Sequence, residues 1–205
     1  MQLENRVALI TGAGRGIGRA IALAYAREGA HLALAARTLT ELEDTAQQAE
    51  ELGAATCVIP TDVSDKTQVE ALVRCTLDRY STIDILVNNA GITGPVGPLQ
   101  DNNISDWIRT IHVNLNGIFL CCRAVLPVML SHNHGKIINM SGVGGRSLTA
   151  YGSSKAALEN LTEALSRELE STNIQVNTMA PGSIHTRMWE ETLDAAVAVG
   201  DTELI

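Results

Sequence analysis

Apolar residues are grouped along this chain in short runs that alternate with longer amphipathic stretches. Six runs are apolar enough for buried strands: residues 7–11, 31–36, 56–61, 83–89, 136–141 and 174–180. Between the runs, apolar residues recur about every 3.6 positions, which predicts helices, the longest over residues 103–131 and 150–171. Strands that alternate with helices predict crossover units and a mainly parallel sheet covered by helices on both faces.

The expected fold is therefore α/β: a doubly wound, mainly parallel, Rossmann-like sheet formed by a single domain over residues 1–205. The chain length suits one domain, and 45% apolar with 19% charged residues is a composition of folded globular proteins. In such a sheet, ligands bind at the carboxyl ends of the strands, so we expect site residues in the loops between strands and helices.

Charge and composition disfavour several classes of function. A net charge of −8, without a local basic patch, argues against nucleic acid and anionic membranes as partners. No uninterrupted apolar run reaches the roughly 18 residues of a membrane span, and the amino terminus lacks the features of a secretory signal, so we expect a cytoplasmic protein. The four cysteines lack the spacing of metal ligands, and no metal is expected.

A glycine-rich loop, TGAGRGIG over residues 11–18, joins the first predicted strand to a helix. Gly12, Gly16 and Gly18 would let backbone amides approach a diphosphate at the positively polarised start of that helix. The spacing differs from the usual G-x-G-x-x-G because Ile17 stands where the third glycine would be, so a plain tight turn is an alternative. The place of the loop after the first strand favours nucleotide binding.

The end of the second predicted strand bears on the choice of nucleotide. A carboxylate about 20 residues beyond the glycine loop would bind the ribose 2′-hydroxyl of NAD. Ala36 and Arg37 stand there instead, and Arg15 lies in the glycine loop. Two arginines without a carboxylate suit a 2′-phosphate and favour NADP(H) over NAD(H), the alternative being that both are solvated loop charges.

Six short motifs follow one another along the chain. They are Thr11-Gly12-x-x-x-Gly16-x-Gly18, Asp62-Val63, Asn88-Asn89-Ala90-Gly91, Asn114, Tyr151-x-x-x-Lys155 and Pro181-Gly182. Together they resemble the short-chain dehydrogenases/reductases, over roughly residues 5 to 188. A tyrosine and a lysine four apart arise often by chance, whereas six motifs in order on the expected elements are specific.

The resemblance implies an oxidoreductase that interconverts a carbonyl and a secondary alcohol with a nicotinamide cofactor. The expected cofactor contacts are Gly12, Arg15, Gly16, Ile17, Gly18, Arg37, Asp62, Val63, Asn89, Ala90, Gly91, Tyr151, Lys155, Pro181, Gly182, Ile184 and Thr186. Asp62 would lie near the adenine, and Ile184 and Thr186 near the nicotinamide carboxamide. The alternatives are helix N-caps for Asp62 and Thr186 and a turn for the Asn-Asn-Ala-Gly stretch.

The catalytic roles that the resemblance implies are chemically reasonable. Tyr151 would exchange a proton with the substrate oxygen, and Lys155, four residues on and on the same helix face, would lower the tyrosine pKa from near 10. Lys155 would also bind the ribose hydroxyls. Asn114 would relay protons to solvent through a water, the alternative being a polar residue that kinks its helix.

The resemblance also implies a serine that donates a hydrogen bond to the substrate carbonyl oxygen. In the family pattern N-x-S-S-x-x-G, Ser141 takes the place of the first serine and Gly142 that of the second, usually catalytic, one. Ser141 is the predicted donor, Ser147 is the next candidate, and a site without a serine is the remaining possibility. Ser153 and Ser154 are predicted to be helix surface or packing positions.

After Pro181-Gly182 only 23 residues remain, so the last strand of the family is expected to be missing and one sheet edge exposed. The leading prediction is an NADP(H)-dependent oxidoreductase of a small-molecule substrate, a medium-sized apolar carbonyl or alcohol, with Tyr151 as acid and base. The alternatives are a catalytically impaired member that binds cofactor or a protein partner without turnover, and an unstable truncated product. A homodimer through the two long helices is expected.

Overall fold

Six parallel strands form one sheet in a computed structural model that describes residues 1–201. The strands are β1 (Val7–Thr11), β2 (His31–Ala36), β3 (Thr56–Pro60), β4 (Ile85–Asn88), β5 (Gly135–Met140) and β6 (Ile174–Met179). Their order across the sheet is β3-β2-β1-β4-β5-β6. The predicted α/β fold is confirmed. Successive strands are added in one direction from β1 to β3 and in the other from β4 to β6, so the strand order switches between β1 and β4, where such sheets open a crevice for ligands.

Helices cover both faces of the sheet. They are α1 (Gly16–Arg27), α2 (Leu39–Glu51), α3 (Lys66–Tyr80), α4 (Ile104–Ile111), α5 (Gly117–His132), α6 (Thr149–Glu168) and α7 (Arg187–Ala198). Successive residues of β1 serve opposite layers, because strand side chains alternate between faces. Leu9 packs in the core with α3, α5 and α6, whereas Ala8 and Ile10 pack in the core with α1 and α2. This explains why the central strands read as continuous apolar runs.

A turn of π-helix, His112–Asn116, joins α4 to α5. Among the described residues, the joined stretch Ile104–His132 is the one helix that is long and apolar enough to cross a membrane, judged by length and composition. However, 44% of its most apolar 18-residue segment is buried within the protein. Val125 and Met129 are fully buried in the core, so the same hydropathy is that of a core helix.

The far edge of the sheet is formed by β6. Ile174 and Val176 face the core, and Gln175 and Asn177, which alternate with them, are exposed. Within residues 1–201 no further strand follows β6, and α7 packs instead toward the loop after β4, where Thr93 Oγ1 and Thr192 Oγ1 are 2.8 Å apart. Two segments therefore flank the carboxyl ends of the strands: helix α7 and the loop that follows β4.

Candidate active site

A cavity of about 560 Å³ opens at the carboxyl ends of the strands. A volume of several hundred Å³ suits a small molecule or cofactor. Of the predicted cofactor contacts, those that line it are Gly12, Arg15, Gly16, Ile17, Arg37, Asp62, Val63, Asn89, Ala90, Gly91 and Thr186. Gly18, Pro181, Gly182, Ile184, Tyr151 and Lys155 are not among the lining residues. Contact of any of these residues with a cofactor stays a prediction.

The glycine loop packs too tightly at Gly18 for a side chain there. A Cβ atom on Gly18 would lie 2.2 Å from the carbonyl oxygen of Gly12 and 2.5 Å from Asn89 Nδ2. Gly12 and Gly16 have φ values of +64° and +55°, the left-handed region that favours glycine. Among the described residues no side chain caps the start of α1, so its first amides are available to a phosphate, as a dinucleotide requires.

Thr11 joins the glycine loop to the loop after β4. Its Oγ1 accepts hydrogen bonds from the backbone amides of Asn89 and Ala90 at 3.0 and 3.1 Å. Asn89 Nδ2 donates in return to the carbonyl oxygens of Thr11 and Gly12, at 3.0 and 3.1 Å. The Asn-Asn-Ala-Gly stretch is thus more than a turn, since it fixes the two loops that face the cavity against each other.

Asp62 does not cap a helix, because Asp65 caps α3 and accepts from the amides of Thr67 and Gln68. Burial raises the pKa of Asp62, but hydrogen bonds from Ser64 and the charge of Arg37 outweigh it and lower that pKa overall. Asp62 is therefore an ionised group at the cavity wall. Thr186 caps α7, accepting from Trp189 N at 3.3 Å, and it also lines the cavity, while its contact with a nicotinamide stays a prediction.

Tyr151 and Lys155 lie on one face of α6, as the spacing predicts. Lys155 Nζ is 5.5 Å from the centroid of the Tyr151 ring and donates to the carbonyl oxygen of Met140 at 2.6 Å. Lys155 is only 5% exposed, and this burial lowers its pKa to about 8. The expected lowering of the Tyr151 pKa is not found among the groups of the chain itself: burial of the phenol raises it.

Asn114 is fully buried in the π-helical turn, where its amide group bonds to the loop after β4 and to α6. Its Oδ1 accepts from Ile92 N at 2.9 Å, and its Nδ2 donates to Ile92 O at 2.8 Å and to Ser154 Oγ at 3.0 Å. Ser154 Oγ then donates to the carbonyl oxygen of Tyr151 at 2.6 Å. This polar role of Ser154 was not predicted, although its position three residues after Tyr151 could have indicated it. Ser153 is exposed, as predicted.

The structure does not bring the hydroxyl of Ser141 to Tyr151. The Ser141 amide continues the β5–β6 ladder by donating to Met179 O, and the Ser141 hydroxyl donates to Glu159 Oε1 at 2.7 Å. Gly142 stands beside the tyrosine instead, since a Cβ atom there would lie 2.5 Å from Tyr151 Oη. In the structure the Ser141 hydroxyl thus has Glu159 as its partner, and its role as the carbonyl donor stays a prediction.

The second candidate serine is also engaged elsewhere. Ser147 Oγ donates to a carboxylate oxygen of Asp201, just after α7, and Ser147 O accepts from the amide of Gly97 at 3.0 Å. Both serines of the loop before Tyr151 thus bond to carboxylates. This leaves the tyrosine hydroxyl next to a residue without a side chain.

One carboxylate at the cavity was missed by the sequence analysis. Glu41, in the first turn of α2, lines the cavity, and its Oε1 is 3.6 Å from Arg15 Nη1 and 4.0 Å from Arg187 Nη1. Its position four residues after Arg37 was the only signal in the sequence. The cavity end with the two arginines therefore contains an acid after all.

Residues 6–196 match the short chain dehydrogenase family. The chain is 40% identical over 194 residues to subunit BbsD of (2S)-[(R)-hydroxy(phenyl)methyl]succinyl-CoA dehydrogenase from Thauera aromatica, covering 93% of this chain and 78% of that protein. It is 37% identical over 195 residues to the 3-oxoacyl-[acyl-carrier-protein] reductase FabG of Thermotoga maritima, covering 93% and 79%.

Solved structures of the same kind superpose closely. NAD⁺-bound xylitol dehydrogenase matches with a TM-score of 0.94 at 33% identity, over 98% of this chain and 80% of that one. Levodione reductase matches with a TM-score of 0.93 at 32% identity, over 98% and 81%. The arrangement of the sheet and of the helices on its two faces thus has counterparts of known structure.

Proposed function

Because this chain belongs to the short-chain dehydrogenase/reductase family, we propose that it is an NADP(H)-dependent oxidoreductase that interconverts a carbonyl and a secondary alcohol. The observation that carries this proposal is the proximity of the buried Lys155 ammonium to the Tyr151 ring, at the end of the sheet where the glycine-lined cavity opens. A dinucleotide would be held by the amides at the start of α1 and by the loop after β4. When bound, its nicotinamide supplies or accepts the hydride.

Tyr151 handles the proton in this proposal. In reduction, its hydroxyl donates a proton to the oxygen of the new alkoxide, and in oxidation its phenolate accepts the alcohol proton. Burial alone raises the Tyr151 pKa, so the phenolate needs a nearby positive charge. Lys155 supplies that charge, with its Nζ fixed by Met140 O.

Asn114 and Ser154 position the acid. The two side chains link Ile92, after β4, to the carbonyl oxygen of Tyr151, so the first turn of α6 is tied to the wall of the cavity. We propose that this chain of hydrogen bonds orients the tyrosine hydroxyl toward the substrate. A buried polar side chain whose hydrogen-bonding groups all have partners is held in one orientation, which suits a positioning role.

The preference for NADP(H) rests on charge. Arg15 and Arg37 line the cavity, and the side chain at the end of β2 is that of Ala36, which cannot accept a hydrogen bond from a ribose hydroxyl. Guanidinium groups bind phosphate well. Xylitol dehydrogenase, of the same fold, binds NAD⁺, so a direct comparison of the two cofactors is required.

A second candidate function is that of a family member that binds cofactor with little or no turnover. The specific observation in its favour is the loop before Tyr151, where Ser141 bonds to Glu159 and Gly142 occupies the position beside the tyrosine hydroxyl. Without a serine donor, the substrate carbonyl would be polarised by Tyr151 alone, which removes one hydrogen bond from the transition state.

The test is a fluorescence titration of the chain with NADPH and with NADH, followed by turnover assays. Saturable binding with NADPH preferred, and carbonyl reduction that Tyr151→Phe abolishes, would support the leading proposal. Binding without turnover would favour the second candidate, and preference for NADH would overturn the cofactor argument. The substrate panel should include 3-oxoacyl thioesters, polyols and cyclic diketones, in view of the names of the related proteins.

We further propose that a second copy of the chain covers an apolar surface on α4 and α5. Ile104, Ile108 and Phe119 are 76%, 48% and 50% exposed, and large exposed apolar patches mark interaction surfaces. Light scattering should give the mass of a dimer, and Ile108→Glu with Phe119→Glu should give that of a monomer. Leu99→Glu, also exposed but outside both helices, is the control; a wild-type monomer would reject the proposal.

A further inference from the structure

Glu41 occupies a position that the proposed function does not use. It lines the same cavity as Arg15, Arg37 and Thr38, beside the end of β2 where the ribose of an NAD(P) cofactor would be bound. Its carboxylate is 3.6 Å from the Arg15 guanidinium and 4.0 Å from that of Arg187, so one acid lies between two arginines.

The backbone at Glu41 is fixed against the glycine loop. Thr45 Oγ1, one turn later, lies 3.0 Å from Glu41 O and 3.3 Å from Gly14 O, the carbonyl oxygens of its own helix and of the loop. A Cβ atom on Gly14 would lie 2.9 Å from Glu41 Cβ, so α2 and the loop are in direct contact. The backbone that carries the Glu41 carboxylate is therefore fixed at the cavity wall.

The arginines at this end of the cavity are not free positive charges. Arg15 faces Glu41, and Arg37 is close enough to Asp62 to contribute to the lowered pKa of that carboxyl. Two acids thus oppose the two arginines on which a preference for a phosphorylated cofactor depends. A phosphate monoester carries close to two negative charges at neutral pH, whereas a ribose hydroxyl carries none.

We propose that Glu41 is a specificity-determining residue that restrains the preference for NADP(H), so that the chain also accepts NAD(H). Its carboxylate repels a 2′-phosphate and competes with it for Arg15, and neither effect acts on a 2′-hydroxyl. This inference rests on the proposed function, since it assumes that the cavity binds a nicotinamide dinucleotide.

The geometry argues against the opposite role, in which Glu41 would orient Arg15 for the phosphate. Strong ionic hydrogen bonds between a guanidinium and a carboxylate measure about 2.7–2.9 Å. The separations of 3.6 and 4.0 Å at Glu41 are longer, and the Arg15 side chain is 45% exposed. A loose, solvated pair of this kind does not fix a guanidinium in one direction.

The experiment compares four forms of the full chain: wild type, Glu41→Gln, Arg15→Gln and Glu43→Gln. Glu43 is an exposed acid two residues away on α2 that does not line the cavity, so it is the matched control for the lost charge. Dissociation constants for NADPH and NADH are measured by fluorescence at low and high salt. This readout does not depend on turnover.

Glu41→Gln should tighten NADPH binding about three- to tenfold, leave NADH binding within about twofold, and lose part of the gain in high salt because the effect is electrostatic. Glu43→Gln should change neither. Weaker NADPH binding in Glu41→Gln would show that the carboxylate supports the phosphate site and would overturn the inference. Equal changes for both cofactors would also overturn it, because they would indicate a general structural role.

The proposed preference for NADP(H) can be overturned independently of the role of Glu41. If wild type binds NADH better and Arg15→Gln leaves NADPH binding unchanged, the arginine argument is wrong, yet the Glu41→Gln change in the NADPH-to-NADH ratio still decides the role of Glu41. If wild type binds neither cofactor, both proposals are overturned.

Discussion

The cavity, proposed to bind the cofactor, and the catalytic corner around Tyr151, proposed to carry the chemistry, lie at the same edge of the sheet but are built differently. The glycine loop beside the cavity is held by backbone contacts: Gly12 and Gly18 pack against each other and against Asn89 at distances that admit no Cβ atom. The catalytic corner is formed by side chains from three separate segments: the π-helical turn with Asn114, the loop before α6, and α6 with Tyr151.

The difference lies in what each region tolerates. Close backbone contact excludes every residue except glycine, so a substitution there cannot be absorbed locally. A side chain can turn to another partner, as the Ser141 hydroxyl does when it bonds to Glu159. A substitution at one of these glycines should therefore disturb the whole cofactor site, whereas substitutions in the catalytic corner should reduce turnover by different amounts.

The largest effect on turnover is expected at Tyr151, the proposed proton donor of the catalytic corner. Tyr151→Phe should reduce turnover about 100- to 10,000-fold because the proton donor is lost, and leave NADPH binding within about twofold. Steady-state kinetics and fluorescence titration measure the two quantities. Tyr25→Phe, on α1, is the control, and a Tyr151→Phe variant with a tenth of the wild-type rate would contradict the role of Tyr151.

In the glycine loop, Gly18→Ala should weaken cofactor binding about 100-fold. The new methyl group would overlap the carbonyl oxygen of Gly12 and displace the loop from the start of α1. Circular dichroism would check that the sheet remains. Gly53→Asn is the control, since Gly53 faces open space and asparagine tolerates its positive φ. Unchanged binding in Gly18→Ala would mean that the loop can relax.

A smaller effect should follow from Ser154→Ala, which removes the hydrogen bonds to Asn114 and to the carbonyl oxygen of Tyr151. Turnover should fall about tenfold with KM unchanged, as the loss of two modest hydrogen bonds implies. The pH at which turnover is half-maximal should also move. Ser153→Ala is the control, and a lower melting temperature with unchanged kcat would reduce Ser154 to a structural role.

The smallest effect should be that of Ser141→Ala, less than about threefold on turnover, because the bond that it removes is to Glu159 and not to Tyr151. Glu159→Gln, which retains an acceptor for the serine, should change turnover even less. A 100-fold loss in Ser141→Ala would show instead that the serine turns to the substrate, and the catalytic corner would then resemble the family pattern more closely.

Much of the fold could be predicted from the sequence because strands and helices depend on residues that are close together along the chain. The apolar run at residues 31–36 coincides with β2, and the run at 174–180 exceeds β6 by one residue. The π-helical turn at His112–Asn116 was not predicted, since its apolar stripe continues that of the helices on either side. At the site, the i, i+4 spacing of Tyr151 and Lys155 correctly predicted a shared helix face.

What the sequence by itself determined is the set of features encoded over a few consecutive residues: the alternation of strands and helices, the glycine spacing, and the tyrosine–lysine pair. Only the tertiary structure decided the rest. It brought Glu41 to Arg15, joined Asn114 to Ser154, and turned Ser141 toward Glu159. These partners are separated by 18 to 40 residues along the chain, and their contacts depend on how helices pack on the sheet. Local periodicity does not specify that packing, so the direction of a polar side chain among competing partners is settled only when the whole fold is assembled.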